Sequence, residues 1–140
     1  MNMSEWKTFK ELEMEKVRTF NVINKAFLSV QNIDKIHPLK QKKVFNLVNN
    51  INCNEIKRVW IFGSSTNNSC NIHSDIDVLI ELNPDIDLVN DEDVLCRIHR
   101  NFLKSLGTDY DSVFLNDLNK DKQIYKSIMK TRRLVYERND

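Results

Sequence analysis

The sequence predicts one α/β domain over residues 1–140, a small β-sheet flanked by helices, with a helical extension over 1–55 leading into a core over 56–137. Three observations carry that prediction. Val59-Trp60-Ile61-Phe62 is apolar on both faces, as an interior strand covered on both sides would be. Asp75 to Leu82 alternates, with Ile76, Val78, Ile80 and Leu82 on one face, which is the period of a strand. Between and around these runs lie segments with helical spacing, separated by proline, glycine and asparagine.

In chain order, Ser4 to Asn32 has helical spacing through Phe20, Ile23, Phe27 and Val30, with Trp6 and Phe9 earlier on a compatible face. Its stripe leaves homo-oligomerisation or partner docking open. Pro38 suits the first turn of a second helix, which runs to about Asn50 with Leu39, Val44, Leu47, Val48 and Ile51 as its apolar set. The first strand then ends at Gly63, and the second is stopped by Asn83-Pro84. Asn90 or Asp91 caps the next helix, acids fill its first turn, Val94, Leu95, Ile98, Phe102 and Leu106 face inward, and Gly107 closes it. Tyr110 to Leu115 forms a third strand, Lys120 to about Lys130 a helix, and Leu134-Val135-Tyr136 a short last strand.

Composition narrows the function classes. A charged fraction of 29% with net charge +1 gives no broad field for duplex nucleic acid or an anionic membrane. No apolar run is long enough to span a bilayer, and no signal sequence opens the chain. Cys53, Cys70 and Cys96 are odd in number and widely spaced, which suits reduced thiols in the cytoplasm and not a disulfide framework or zinc site. There are only two glycines, where average usage gives roughly ten. Each should therefore mark a place where backbone geometry demands one, and Gly63 is expected at positive φ.

Gly63-Ser64, ten residues, then Asp75-Ile76-Asp77 is the chemical centre of the sequence. Residues two apart on a strand share a face, so both carboxylates leave the sheet together. Held that close they repel, and a bound cation is the usual compensation. A second copy of the tripeptide, Asp85-Ile86-Asp87, follows Pro84, lacks an upstream Gly-Ser turn and runs into Asn90-Asp91-Glu92-Asp93. It is expected to be a solvated loop.

This residue set resembles the nucleotidyltransferase superfamily, and in particular its minimal members, the MNT proteins of HEPN/MNT toxin–antitoxin pairs. The resemblance spans roughly residues 58–136. It implies a small mixed sheet, with Asp75, Asp77 and a third-strand carboxylate holding two Mg²⁺ ions and acting as the catalytic residues. Asp111, leading Asp-Ser-Val-Phe, is the expected third ligand, with Asp109 of the same strand parity as the alternative. Gly63 and Ser64 would hold the phosphates of ATP, assisted by Ser65. The implied activity is transfer of AMP from ATP to a hydroxyl of a partner, a tyrosine of a HEPN-family toxin, which would make the chain an antitoxin.

The chain departs from the family pattern in one respect: no Lys or Arg lies between Gly63 and Asp75 to pair with a triphosphate. Asn68 is expected to supply the left-handed conformation that another glycine gives in relatives, and a lysine from elsewhere, such as the 120–130 helix, could replace the missing charge. His73, on the loop, is expected to face solvent. Two other readings stay open. One is a toxin-binding protein with a vestigial nucleotide site, and the other is a nucleotidyltransferase acting on a small molecule such as an aminoglycoside.

Overall fold

The computed structural model describes residues 29–139. The N-terminal helix expected over Ser4 to Asn32 lies outside the described residues except for its last four, which form turns. Helix α1 is Pro38–Asn50, with Pro38 in its first turn and the His37 imidazole accepting the Leu39 N–H at 3.2 Å. Strand β1 is Ile56–Phe62 and β2 is Ile76–Leu82. Helix α2, Glu92–Leu106, leads to β3, Tyr110–Phe114, and helix α3, Gln123–Thr131, leads to β4, Arg133–Glu137. Short 3₁₀ turns occupy Ile33–Lys35, Gly63–Thr66 and Leu115–Asp117.

The sheet has strand order β3-β2-β1-β4. β1 pairs antiparallel with both β2 and β4, while β2 pairs parallel with β3, so the sheet is mixed. A parallel neighbour needs a crossover, and α2 supplies it.

Strand alternation divides the apolar residues between two faces. On one face Val59, Ile61, Ile76, Val78 and Ile80, all without solvent exposure, pack with Val44 and Leu47 of α1 and Ile98 and Phe102 of α2. The other face is thinner: Trp60, Leu79 and Ile128 of α3, with Phe62, Val113 and Leu134 partly buried around them. Trp60 also takes the Arg132 guanidinium over its ring, 5.2 Å from the centroid. Truncating one fully buried residue of the larger core, such as Ile61→Ala, should cost about 2–5 kcal/mol.

Two expectations need correction. Leu39 is not part of α1's apolar set; it is half exposed, and Lys40 takes the core-facing position at helical spacing from Val44 and Leu47. Asp91 does stand at the start of α2, but its side chain makes no cap; its carboxylate accepts the Asp87 N–H at 2.7 Å instead. Gly107 closes α2 as expected, with φ 74° and its N–H donating to Leu103 at 2.9 Å.

Candidate active site

The site forms where β1 ends and β2 begins, on the α3 face of the sheet. Ile76, Val78 and Ile80 fill the larger core, so alternation sends Asp75, Asp77 and Leu79 to the opposite side. Asp75 stands one residue before β2 and is exposed; Asp77 is within the strand and half-buried. On β2's two neighbours, Asp77 is in register with Phe62 of β1 and with Asp111 of β3. Asp111 is thus beside Asp77 on the adjacent strand, and it is exposed. Asp109 lies just ahead of β3, where its carbonyl accepts the Ile76 N–H at 3.0 Å.

The charges of Asp75 and Asp111 both act on Asp77. Burial pushes the Asp77 carboxyl above the usual carboxylate range, and the charges of Asp111 and then Asp75 push it further the same way. Asp109 is not among the charges that act on it. Among the described residues, the charges that act on the central carboxylate are those of Asp111 and Asp75, both repulsive.

Gly63 is tied to Asp77 by shape. It has φ 74°, and a Cβ there would collide with the Asp77 carboxylate oxygen and lie 3.4 Å from its Cγ. Glycine is needed twice over, for its backbone conformation and for the close approach of the carboxylate. The Gly63 N–H donates to the Thr131 hydroxyl at 3.1 Å, which pins the turn to the last residue of α3. Sequence reasoning missed Thr131, because nothing in the order of residues tells which helix end meets the turn.

The loop that follows is held by its own side chains. The Thr66 hydroxyl donates to the Gly63 carbonyl at 2.7 Å. The Asn67 amide oxygen accepts the Ser69 N–H at 2.9 Å, and that of Asn71 accepts the His73 N–H at 2.8 Å. Asn32 is the only non-glycine with positive φ among the described residues, so Asn68 does not take the left-handed conformation expected of it. The Asn67 and Asn71 bonds shape the chain without it. Ser64 is half-buried, whereas Ser65 is fully buried and its hydroxyl has no partner. The Ser65 carbonyl accepts the His37 N–H at 2.7 Å. His73 is exposed.

The residues suit a hard divalent cation in kind, since all three side chains offer carboxylate oxygens and Asp77 is repelled by the other two. Among the described residues, however, no three His, Cys, Asp or Glu side chains are gathered closely enough to form a ready cage.

A mixed sheet with a glycine turn against a strand-borne carboxylate, and a second carboxylate in register on the next strand, is the layout of a nucleotidyltransferase domain. The chain belongs to that class: the Polymerase beta nucleotidyltransferase family model matches residues 42–140. No curated protein matches the sequence. Among solved structures, the chain is similar to one of a toxin–antitoxin with AMP-PNP, at 17% identity and TM-score 0.46, covering 69% of this chain and 73% of that one. It is likewise similar to one of a tri-AMPylated Shewanella oneidensis HEPN toxin in complex with MNT antitoxin, at 16% identity and TM-score 0.45, covering 71% and 73%. A third, of the toxin–antitoxin MntA-HepT, has 16% identity and TM-score 0.42, covering 69% and 68%. Among the described residues no helix is long and apolar enough to cross a membrane.

Proposed function

We propose that this protein transfers AMP from ATP to a hydroxyl on a partner protein, and that the partner is a HEPN-type toxin which the transfer silences, in the cytoplasm. The observation that carries the transferase half is the register of Asp77 with Asp111, with Gly63 packed on the Asp77 carboxylate. The acceptor half rests on the resemblance of the Gly63-Ser64 to Asp77 run to MNT proteins.

Asp75, Asp77 and Asp111 are the residues that would hold Mg²⁺, expected as two ions. Bound Mg²⁺ would supply the positive charge that offsets both the carboxylates and the triphosphate. Gly63 would let the nucleotide approach the backbone and the Ser64 hydroxyl would donate to a phosphate oxygen, with Ser65 supporting the turn from inside. Asp111, exposed on the edge strand, orients the attacking hydroxyl and takes its proton. Asp77 is the central one of the three, half-buried on β2 between β1 and β3.

The test is label transfer. The protein is incubated with ATP labelled in its α-phosphate, Mg²⁺ and a candidate HEPN toxin, and again as Asp77→Asn. Label that reaches the toxin and disappears in the variant supports the proposal. Toxin inhibition without label, equal in both proteins, would instead establish a purely binding antitoxin. The absence of a basic residue between Gly63 and Asp75 is what favours that second reading.

A further inference from the structure

The two edges of the sheet are finished differently. At β4 the register with β1 shifts, Arg133 and Glu137 stand at the strand ends, and the Asn32 amide donates to the Leu134 carbonyl at 2.7 Å. A bulge, charged side chains and a covering segment are the ordinary ways of blunting an edge. β3 is the other edge, and its register with β2 is regular over all 5 residues. It holds no Lys or Pro, its one charge is Asp111, and among the described residues no strand pairs with its outer side. The Asp109 carbonyl accepts the Ile76 N–H at 3.0 Å, so alternation turns the N–H and C=O of Asp111 and Val113 to β2 as well. Those of Tyr110 and Ser112 point outward, as does the Phe114 N–H. The side chains alternate across the sheet. Asp111 lies on the α3 face with Asp77, while Tyr110, Ser112 and Phe114 line a crevice of about 90 Å³ with Leu95, Ile98 and Phe102 of α2. That volume holds about three waters, or one small aliphatic side chain. Asp111 and Ser112 are exposed.

We propose that an extended segment of the acceptor protein adds as a strand to the free edge of β3, with its hydroxyl residue on the Asp111 face and the apolar residues beside it turned to the α2 crevice. The inference rests on the reading that Asp111 receives the attacking hydroxyl, and it names how the segment bearing that hydroxyl is held. The occupant follows from continuity, because the open edge carries the carboxylate to which the acceptor must come. Backbone bonds to Tyr110 and Ser112 supply affinity that is indifferent to sequence, and the alternate side chains select. In an antiparallel addition the residue opposite Asp111 falls in the narrow, non-hydrogen-bonded kind of pair, with Cβ atoms ~4.5–5.5 Å apart. A serine or threonine hydroxyl reaches the carboxylate from there, and a tyrosine from the diagonal position two residues along.

The experiment is amide exchange of the ¹⁵N-labelled full chain, alone and with the candidate HEPN toxin, beside label transfer at rising toxin concentration for wild type, Ser112→Pro and Ser112→Ala. Proline is tolerated on an edge strand where the N–H faces out of the sheet, so Ser112→Pro should melt close to wild type. The toxin should slow exchange at the Tyr110, Ser112 and Phe114 amides roughly tenfold or more, while Asp111 and Val113 are slow already. Ser112→Pro should raise the KM for toxin roughly tenfold with kcat little changed, the worth of a lost hydrogen bond, and Ser112→Ala should not. Label transfer with those three amides as fast as in the free chain would overturn the docking edge and leave the transferase reading intact. A KM unchanged in Ser112→Pro would do the same. Amides that are slow in the free chain and quicken on dilution would also overturn it, since a second copy would then occupy the edge. Slowed amides without label on the toxin would uphold the docking edge and count against the transferase reading, and a toxin that neither binds nor takes label would count against both.

Discussion

The chain contains the tripeptide Asp-Ile-Asp twice, ten residues apart, and the two copies have opposite physical characters. In Asp75-Ile76-Asp77 the isoleucine is fully buried in the larger core, and Asp77 is pressed between two strands beside another carboxylate. Its carboxyl is held above the ordinary range by burial, Asp111 and Asp75. In Asp85-Ile86-Asp87 the segment is a loop, and the Asp87 carboxylate accepts the Val89 N–H at 2.9 Å and the Asn90 amide at 2.6 Å. Those bonds hold its carboxyl below the ordinary range. One copy is a charge left in need of a partner, and the other is a charge already satisfied by its own loop. The tripeptide therefore carries little chemistry alone; the strand, the glycine turn and the neighbouring carboxylate give it one.

The largest expected effect breaks the comparison directly. Asp77→Asn should lower AMP transfer on the order of 10²–10³-fold, the scale of removing one charge-stabilising group, whereas Asp87→Asn should leave the rate unchanged. Initial rates of label transfer decide it, and equal losses would mean the two copies do not differ in function. Next in size is Gly63→Ala, in which a Cβ meets the Asp77 carboxylate at a positive φ. It should cost about 1–3 kcal/mol of stability, measured by urea denaturation. Asp77→Gly in the same background should recover part of that loss if the collision is its cause. Thr131→Val removes the acceptor of the Gly63 N–H and should cost about 1 kcal/mol, with faster amide exchange at Gly63.

The finest test is the sign of the pH dependence without metal. Asp77 keeps its proton in the folded protein above the pH, about 3.9, at which the unfolded chain loses it. Its contribution to stability therefore falls as pH rises through the window above that value. Asp87, with its lowered pKa, contributes stability that is present above about pH 3.9 and lost as pH falls below it. Carboxyl-carbon NMR titrations of the two residues should bracket the ordinary aspartate value from opposite sides.

Much of this was legible in the residues because the strands are strongly patterned. Ile76, Val78, Ile80 and Leu82 could lie only on a core face, and that fixes the side to which Asp75 and Asp77 point. Gly63 was legible because a chain with two glycines keeps them where geometry requires them, and both have φ 74°. The pairing of Asp77 with Asp111 was accessible only through the family resemblance, since register across a parallel pair depends on how α2 packs. Contacts between distant segments were hidden altogether: the Thr131 bond to Gly63 and the His37 bond to Ser65. Lys40 had left a signal. Its spacing from Val44 and Leu47 is that of a core-facing helix stripe, but a lysine at such a position is ordinarily assigned to solvent.

The central claim is that Asp75, Asp77 and Asp111 gather a divalent cation while the second Asp-Ile-Asp does not. Titrating the ¹⁵N-labelled protein with Mn²⁺ and following line broadening tests it most directly. Broadening that starts at Gly63, Asp75 to Asp77 and Tyr110 to Ser112, spares Asp85 to Asp87 and is abolished by Asp77→Asn is the predicted result. Broadening that starts at Asp85 to Asp87, or that persists unchanged in Asp77→Asn, would contradict it.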